Sequence, residues 1–362
     1  MELDAARHSM GVSLAVRSGG IMSDTYRRIV LASRPTGWVV PENFRLEVLP
    51  IPAPGPNEVV VRNHYLSLDP YMRGRMADAK SYAKPQEIGA TMIGGTVGEV
   101  LASNHPKFAV GNPVRGMLGW SEVGVSDGKA LERIDTRRIP MSAYLGVVGM
   151  PGMTAWYGYH KIMAPKPGET LVVSAAAGAV GSVVGQLAKL NGVRAVGIAG
   201  GPDKCRYVTD ELGFDACVDY REAKDAKELS KLLSEAAPKG VDAHFENVGG
   251  DVLNAVMTLL NPFARVAICG LIADYNNEPG AVPRSAIRNP AMFLVARFTM
   301  QGFIVSDHLD LWPQGLSELG ALVGGGKLKY RESIANGLAA APEAFIGLLR
   351  GKNLGKQLVK LI

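Results

Sequence analysis

The sequence predicts an α/β protein built from an irregular β unit followed by a parallel sheet wrapped by helices. Three observations carry that reading. Short β-rich runs fill the first third of the chain; after about residue 150, apolar strands alternate with helix-like segments; and a glycine-bearing turn joins a buried strand to an Ala/Val/Leu helix over 170–190.

In chain order, residues 1–22 hold no apolar run of signal-peptide length and are read as a disordered extension. From Tyr26 to about Ile139, "RRIVLA", "FRLEVLPI", "EVVVRNHYLSL" and "TVGEVLAS" read as strands, broken by the Pro/Gly-rich "PIPAPGPNE" and "FAVGNPVRG". Beyond Met153 the strands "TLVVSAA", "RAVGIAG" and "ARVAICG" alternate with the helices "SVVGQLAKL" and "LNAVMTLL". After Gly315 the tail offers a strand, a helix and a last strand, and is expected to rejoin the first unit. The division is therefore 23–150 with 316–362 for the β domain, and 151–315 for the sheet domain.

The 362 residues suffice for two full cores, and 47% apolar with 20% charged content is that of a globular chain, not a disordered one. A net charge of +5 without any long basic run favours a polyanionic small molecule over nucleic acid, and no unbroken apolar stretch spans a membrane. Cys205, Cys217 and Cys269 are far apart in sequence, which suggests neither a disulfide framework nor a zinc knuckle and fits a reducing cytoplasm.

In "TLVVSAAAGAVGSVVGQLAKL", Gly178 lets backbone amides approach a pyrophosphate and Gly181 lets helix and strand pack closely, with Ala176 in the slot of the usual first glycine. At the end of the next strand, where an acidic residue would grip a ribose 2′-hydroxyl, the chain reads "AGGPDKCRY". Gly200 and Gly201 leave room for a 2′-phosphate, and Lys204 and Arg206 bring positive charge, so NADPH is the expected cofactor. Asp203 is read as the cap of the following helix, and Tyr220 as a ring stacking on the same phosphate end.

These motifs, with "VVGMPGMTAWYGYHKI", "FENVGGDVLNAVM", "CGLIADYNN", "QGFIVSDH" and "GKNLGKQLVKL", closely resemble the zinc-independent medium-chain dehydrogenase/reductases, in particular the leukotriene/prostaglandin and alkenal or curcumin reductase group. The resemblance implies a GroES-like β domain completed by the tail, a Rossmann domain between, and a homodimer. It also implies cofactor contacts at Gly178, Ala179, Val180 and Gly181 for the diphosphate, and at Lys204 and Tyr220 for the 2′-phosphate. Further contacts would fall on Asn247, on the run Cys269, Gly270, Leu271, Ile272, Ala273, Asp274 and Tyr275, on Phe303, Ile304 and Val305, and on Asn353.

No metal is expected: "NHYLSLDPYMRGRM" lacks the cysteine that a zinc alcohol dehydrogenase uses, Gly95 stands where its histidine would, and His64 alone holds nothing. Without a Lewis acid, reduction of an α,β-unsaturated carbonyl is the fitting chemistry, because hydride addition to the β-carbon leaves a delocalised enolate that neutral donors can stabilise. Tyr275 is the first expected donor and Tyr71 the second, with Arg73 read as a loop salt-bridge partner. Pocket walls are expected near Tyr71, Tyr82, Tyr275 and "EPGAVPRSAIRNP". A quinone reductase, or an NADPH-binding sensor without turnover, would share the same turn.

Overall fold

The computed structural model describes residues 24–278 and 280–362; the extension read over residues 1–22 lies outside the described residues. Six parallel strands form one sheet in the order Ala216–Asp219, Arg194–Ala199, Thr170–Ser174, Val241–Glu246, Leu260–Ile268, Thr299–Gly302. The chain winds outward in one direction from Thr170–Ser174 and then restarts on its other side at Val241–Glu246. That reversal opens a crevice at the carboxyl ends of those two central strands.

Alternation along each strand sends neighbours to opposite faces. Leu171 and Val173 join Ala243 and Phe245 in one buried cluster, while Val172 joins Val196, Val241 and Val266 in another. Helices cover both clusters, which is why these strands read as continuous apolar runs and not as alternating ones. The helix Gly181–Leu190 buries Val183, Val184 and Leu187 against the first. A methyl at Gly185 would run into the ring of Phe214, so this glycine sets how closely the helix lies on its neighbour.

The β domain holds a seven-stranded sheet with the path Glu332–Asn336, Lys356–Lys360, Val59–Ser67, Thr96–Ser103, Pro113–Gly116, Glu132–Arg133, and with Val123–Ser126 pairing Val59–Ser67. The tail supplies Glu332–Asn336 and Lys356–Lys360 to this sheet. Its last strand pairs antiparallel with Val59–Ser67, and its helix Ala341–Leu349 places Phe345 edge-on to Trp120 at 5.6 Å between ring centres. Trp120 in turn stacks on Phe44 at 5.2 Å, which ties the two-stranded ribbon of Thr25–Leu31 and Phe44–Pro50 to the same core. The helix Trp312–Gly324, across which the sequence division at residue 315 falls, buries Leu319 with Met153 and Trp156 in the core on the parallel-sheet side.

Candidate active site

A cleft of about 620 Å³ opens at the carboxyl ends of the parallel strands, between the two domains. Among the described residues five cationic ones line it, namely Lys204, Arg221, Arg284, Arg350 and Lys356, against a single acid, Asp69. Lys356 donates to Asp69 at 3.0 Å, so that pair cancels and the remaining excess is positive. Such a field concentrates a polyanion.

The turn after Thr170–Ser174 forms one wall. Ala175 takes a left-handed φ of 49°, and a methyl at Gly181 would lie 2.5 Å from the Ala175 carbonyl oxygen, so only glycine admits this approach of helix to strand. Gly178, Ala179, Val180 and Gly181 all face the cleft, and the amino end of Gly181–Leu190 opens toward it. The tail supports this turn from behind: the Gly355 amide donates to the Ala177 carbonyl at 2.9 Å, and Asn353, itself at the cleft, donates through Nδ2 to the Gly355 carbonyl.

At the next strand end, Gly200 has no side chain because the Tyr220 ring takes the space; a methyl there would sit 2.8 Å from the ring edge. Lys204 reaches across to donate to the Gly351 carbonyl at 2.6 Å, and burial with nearby Arg221 holds its pKa below that of an ordinary lysine. Two expectations change here. Arg206 is exposed and pairs with Asp203, so it does not join Lys204 at the cleft; Arg221, directly after Tyr220, does. Asp203 is not the cap either, since Gly201 holds the N-cap position with φ 96°, and Asp203 spends its carboxylate on Arg206 one turn later. The thiols of Cys205 and Cys217, remote in sequence, lie 3.2 Å apart beneath this corner.

Asn247 ends the strand on the other side of the crevice. Its amide donates to Ser174 Oγ at 2.7 Å and its Nδ2 to the Ser174 carbonyl at 2.8 Å, which pins the two central strand ends together. Below it Glu246 is fully buried, and its carboxylate accepts from Ser174 Oγ, from the amides of Val248 and Gly249, and from His244. Burial pushes the Glu246 carboxyl up, but these partners outweigh it and hold it below the usual carboxylate range.

The run after Leu260–Ile268 is stitched to that turn. Cys269 and Gly270 donate to the Glu246 carbonyl, Ile272 to that of Asn247, and Ala273 to that of Val248. Cys269, Gly270, Ile272, Ala273 and Tyr275 line the cleft; Leu271 and Asp274 do not. Asp274 is turned toward the loop above, where its carboxylate accepts from the amides of Arg284 and Ser285 and from Asn277. The Tyr275 hydroxyl lies over Gly270, where a methyl would stand 3.0 Å from it, and burial pushes the Tyr275 phenol up to about 12.

Tyr71, Tyr82 and Tyr275 share the cleft with Phe303, Ile304 and Val305, which follow the edge strand Thr299–Gly302. Burial and the charge on Asp69 also push Tyr71 well above an ordinary phenol. Among the described residues Arg73 forms no salt bridge: it donates to the Gly37 carbonyl at 2.7 Å and to Asn276 Oδ1 at 3.1 Å, tying two cleft loops to the helix Tyr71–Met76. Arg284, from the expected wall segment 278–290, lines the cleft, while Trp38, Met150 and Thr154 also line it and escaped sequence reasoning. For Thr154 a signal existed, a polar residue inside the apolar helix Met150–Tyr157, whose hydroxyl donates back to the Met150 carbonyl.

Two family models match the chain, "N-terminal domain of oxidoreductase" over residues 27–134 and "Zinc-binding dehydrogenase" over residues 179–321. Zinc does not fit the residues present: among the described residues no three His, Cys, Asp or Glu side chains gather to hold a metal ion. The chain is 48% identical to the NADPH-dependent curcumin reductase of Escherichia coli (strain K12), over 92% of its own length and 96% of the relative's. It is 40% identical to the 2-alkenal reductase (NADP(+)-dependent) of Nicotiana tabacum, over 92% and 96%. The crystal structure of CurA in complex with NADPH from Vibrio vulnificus superimposes with a TM-score of 0.86 at 48% identity, covering 93% of this chain and 99% of that one. The chain therefore belongs to the zinc-independent medium-chain dehydrogenase/reductases and is an NADPH-dependent reductase of the curcumin and alkenal reductase type.

Proposed function

We propose that the protein reduces the carbon–carbon double bond of α,β-unsaturated aldehydes and ketones. The observation that carries this reading is Tyr275, which lines the cleft with its phenol pushed up to about 12 by burial and so keeps its proton for a substrate oxygen, where among the described residues no metal-holding set gathers. NADPH supplies, when bound, the hydride for the β-carbon.

The chain's own residues do the rest. Gly178 to Gly181 and the helix behind them hold the diphosphate with backbone amides. Lys204 and Arg221 neutralise the 2′-phosphate beside Tyr220, and Asn247 and Asn353 keep the turns around the cofactor in place. Phe303 to Val305 wall the nicotinamide side, where Phe303 is itself wedged between Tyr157 at 5.5 Å and Phe245 at 6.2 Å. Tyr275 donates to the carbonyl oxygen as charge gathers there, which in a water-poor site is worth more than the same bond in water. Tyr71 closes the opposite wall as the second donor, and the α-carbon takes its proton from solvent or from the same phenol.

The protein is also proposed to be a cytoplasmic homodimer. The outer strand Thr299–Gly302 leaves one sheet edge open, and Phe263, Leu294 and Val295 are exposed around it, an arrangement that a second copy covers.

The test supplies NADPH deuterated at nicotinamide C4 with an alkenal, an enone and a quinone, and identifies the products by mass spectrometry and NMR. Saturated carbonyls with deuterium at the β-carbon support the proposal. Allylic alcohols, or turnover of the quinone alone, overturn it.

A further inference from the structure

Cys205 and Cys217 are half-buried, and their sulfurs sit 3.2 Å apart, with the Cys217 thiol directed at Cys205. A disulfide needs about 2.05 Å, so closing the pair takes a movement of about 1.2 Å. Room exists because Gly197 carries no side chain; a methyl there would lie 3.3 Å from the Cys217 sulfur. The third thiol, Cys269, follows a different strand of the sheet.

The position of the pair gives it a consequence. Cys205 sits in the helix Pro202–Arg206 directly after Lys204, and Cys217 in the strand Ala216–Asp219 directly before the Tyr220 turn. Lys204 on one side, and Tyr220 with Arg221 on the other, therefore hang on the two backbones that a link would draw together. Lys204 keeps its place through one 2.6 Å bond to the Gly351 carbonyl, and a shift of about 1 Å ruins such geometry.

We propose that Cys205 and Cys217 form a dithiol oxidation site for small peroxides, and that the resulting disulfide loosens the grip on the 2′-phosphate. The proposal rests on the assignment of Lys204 to that phosphate. The Cys205 thiolate attacks the peroxide oxygen, giving a sulfenic acid and hydroxide. The Cys217 sulfur then attacks the Cys205 sulfur, and water leaves with the proton. In sum, two thiols and hydrogen peroxide give one disulfide and two waters, the sulfurs losing the two electrons that the peroxide gains. Burial pushes both thiols above their ordinary range, with the bond from Cys217 opposing this at Cys205. The pair thus reacts slowly at neutral pH and faster as pH rises, through Cys205 first.

The experiment treats the purified, reduced full-length protein with hydrogen peroxide and maps disulfides by non-reducing digestion and mass spectrometry. NADPH and NADH affinities are then titrated by fluorescence before and after oxidation. The expected result is a Cys205–Cys217 linked peptide and NADPH binding weakened by about fivefold or more, with NADH changed less than about twofold and dithiothreitol restoring the original value. Cys205→Ser and Cys217→Ser should each abolish both effects. Separate sulfinic acids without a link, or a link that leaves NADPH affinity unaltered, overturn the proposal. A Lys204→Ala arm separates the two readings: if that variant binds NADPH normally, the phosphate assignment fails, while the linked peptide is scored independently.

Discussion

Replacing Lys204 with alanine should convert a cofactor preference into near indifference, and the size of the effect follows from its surroundings. The side chain is partly buried, donates to the Gly351 carbonyl at 2.6 Å and stands beside Arg221. A charge-assisted hydrogen bond to a phosphate is worth about 1.5–3 kcal/mol, and this part is felt by NADPH alone. The lost bond to Gly351 costs about 1 kcal/mol and loosens the tail loop for both cofactors. At 1.4 kcal/mol per decade, the ratio of NADH to NADPH dissociation constants should fall by about tenfold to a hundredfold, while NADH itself weakens by about fivefold. Arg221 remains and holds the drop toward the lower end. The assay is fluorescence titration of both cofactors at one fixed ionic strength, because salt screens the same interaction. A ratio that moves by less than about threefold would refute the reasoning, since the lysine would then be serving only the loop.

Tyr275→Phe should lower the enone reduction rate by about tenfold to a thousandfold at unchanged NADPH affinity, the loss expected of one oxyanion donor, as steady-state kinetics with a parallel titration will register. With the wild-type phenol pushed up to about 12, rates between pH ~6 and ~10 should show no alkaline limb from this group, and an ionisation there that vanishes in Tyr275→Phe would contradict its burial. Gly181→Ala, whose methyl would meet the Ala175 carbonyl at 2.5 Å, should cost about 1–3 kcal/mol by denaturant unfolding and weaken both cofactors alike. For Glu246 the carboxyl is held below its usual range, so its stabilisation is complete above the ordinary glutamate pKa of about 4.3 and lost as pH falls through the lower native value. The melting-temperature gap between wild type and Glu246→Gln should therefore narrow in acid; a gap that widens would reverse the assigned sign.

What the sequence made legible was local. The strand, turn and helix around Gly178 and Gly181 follow from adjacent residues, and the apolar runs marking the parallel strands need only their own composition. The early strands "RRIVLA" and "TVGEVLAS" lie within a few residues of Thr25–Leu31 and Thr96–Ser103 for the same reason. What stayed hidden depends on meetings between distant segments. Arg206 looked as good a cation as Lys204, but one helical turn sends it to Asp203, while Arg221 arrives from the next strand end. Cys205 and Cys217 are separated in the chain and joined only by the crossover that brings Ala216–Asp219 beside Arg194–Ala199. Arg73 suggested an acidic partner, yet the fold offers it a carbonyl and an amide, and no periodicity encodes that choice.

The closing strand Lys356–Lys360 is inserted between Glu332–Asn336 and Val59–Ser67, and the neighbouring Gly355 touches the turn at Gly178. A ribosome delivers that piece long after Val59–Ser67 has emerged. The parallel sheet can assemble while synthesis continues, but the β domain must wait, with one flank of Val59–Ser67 bare, until Lys356–Lys360 emerges. Newly made polypeptide therefore passes through a stage in which half of it is finished and the half born first is not. A stop before Gly355 would strand it there, with an unzipped sheet and no rear support for the phosphate-binding loop.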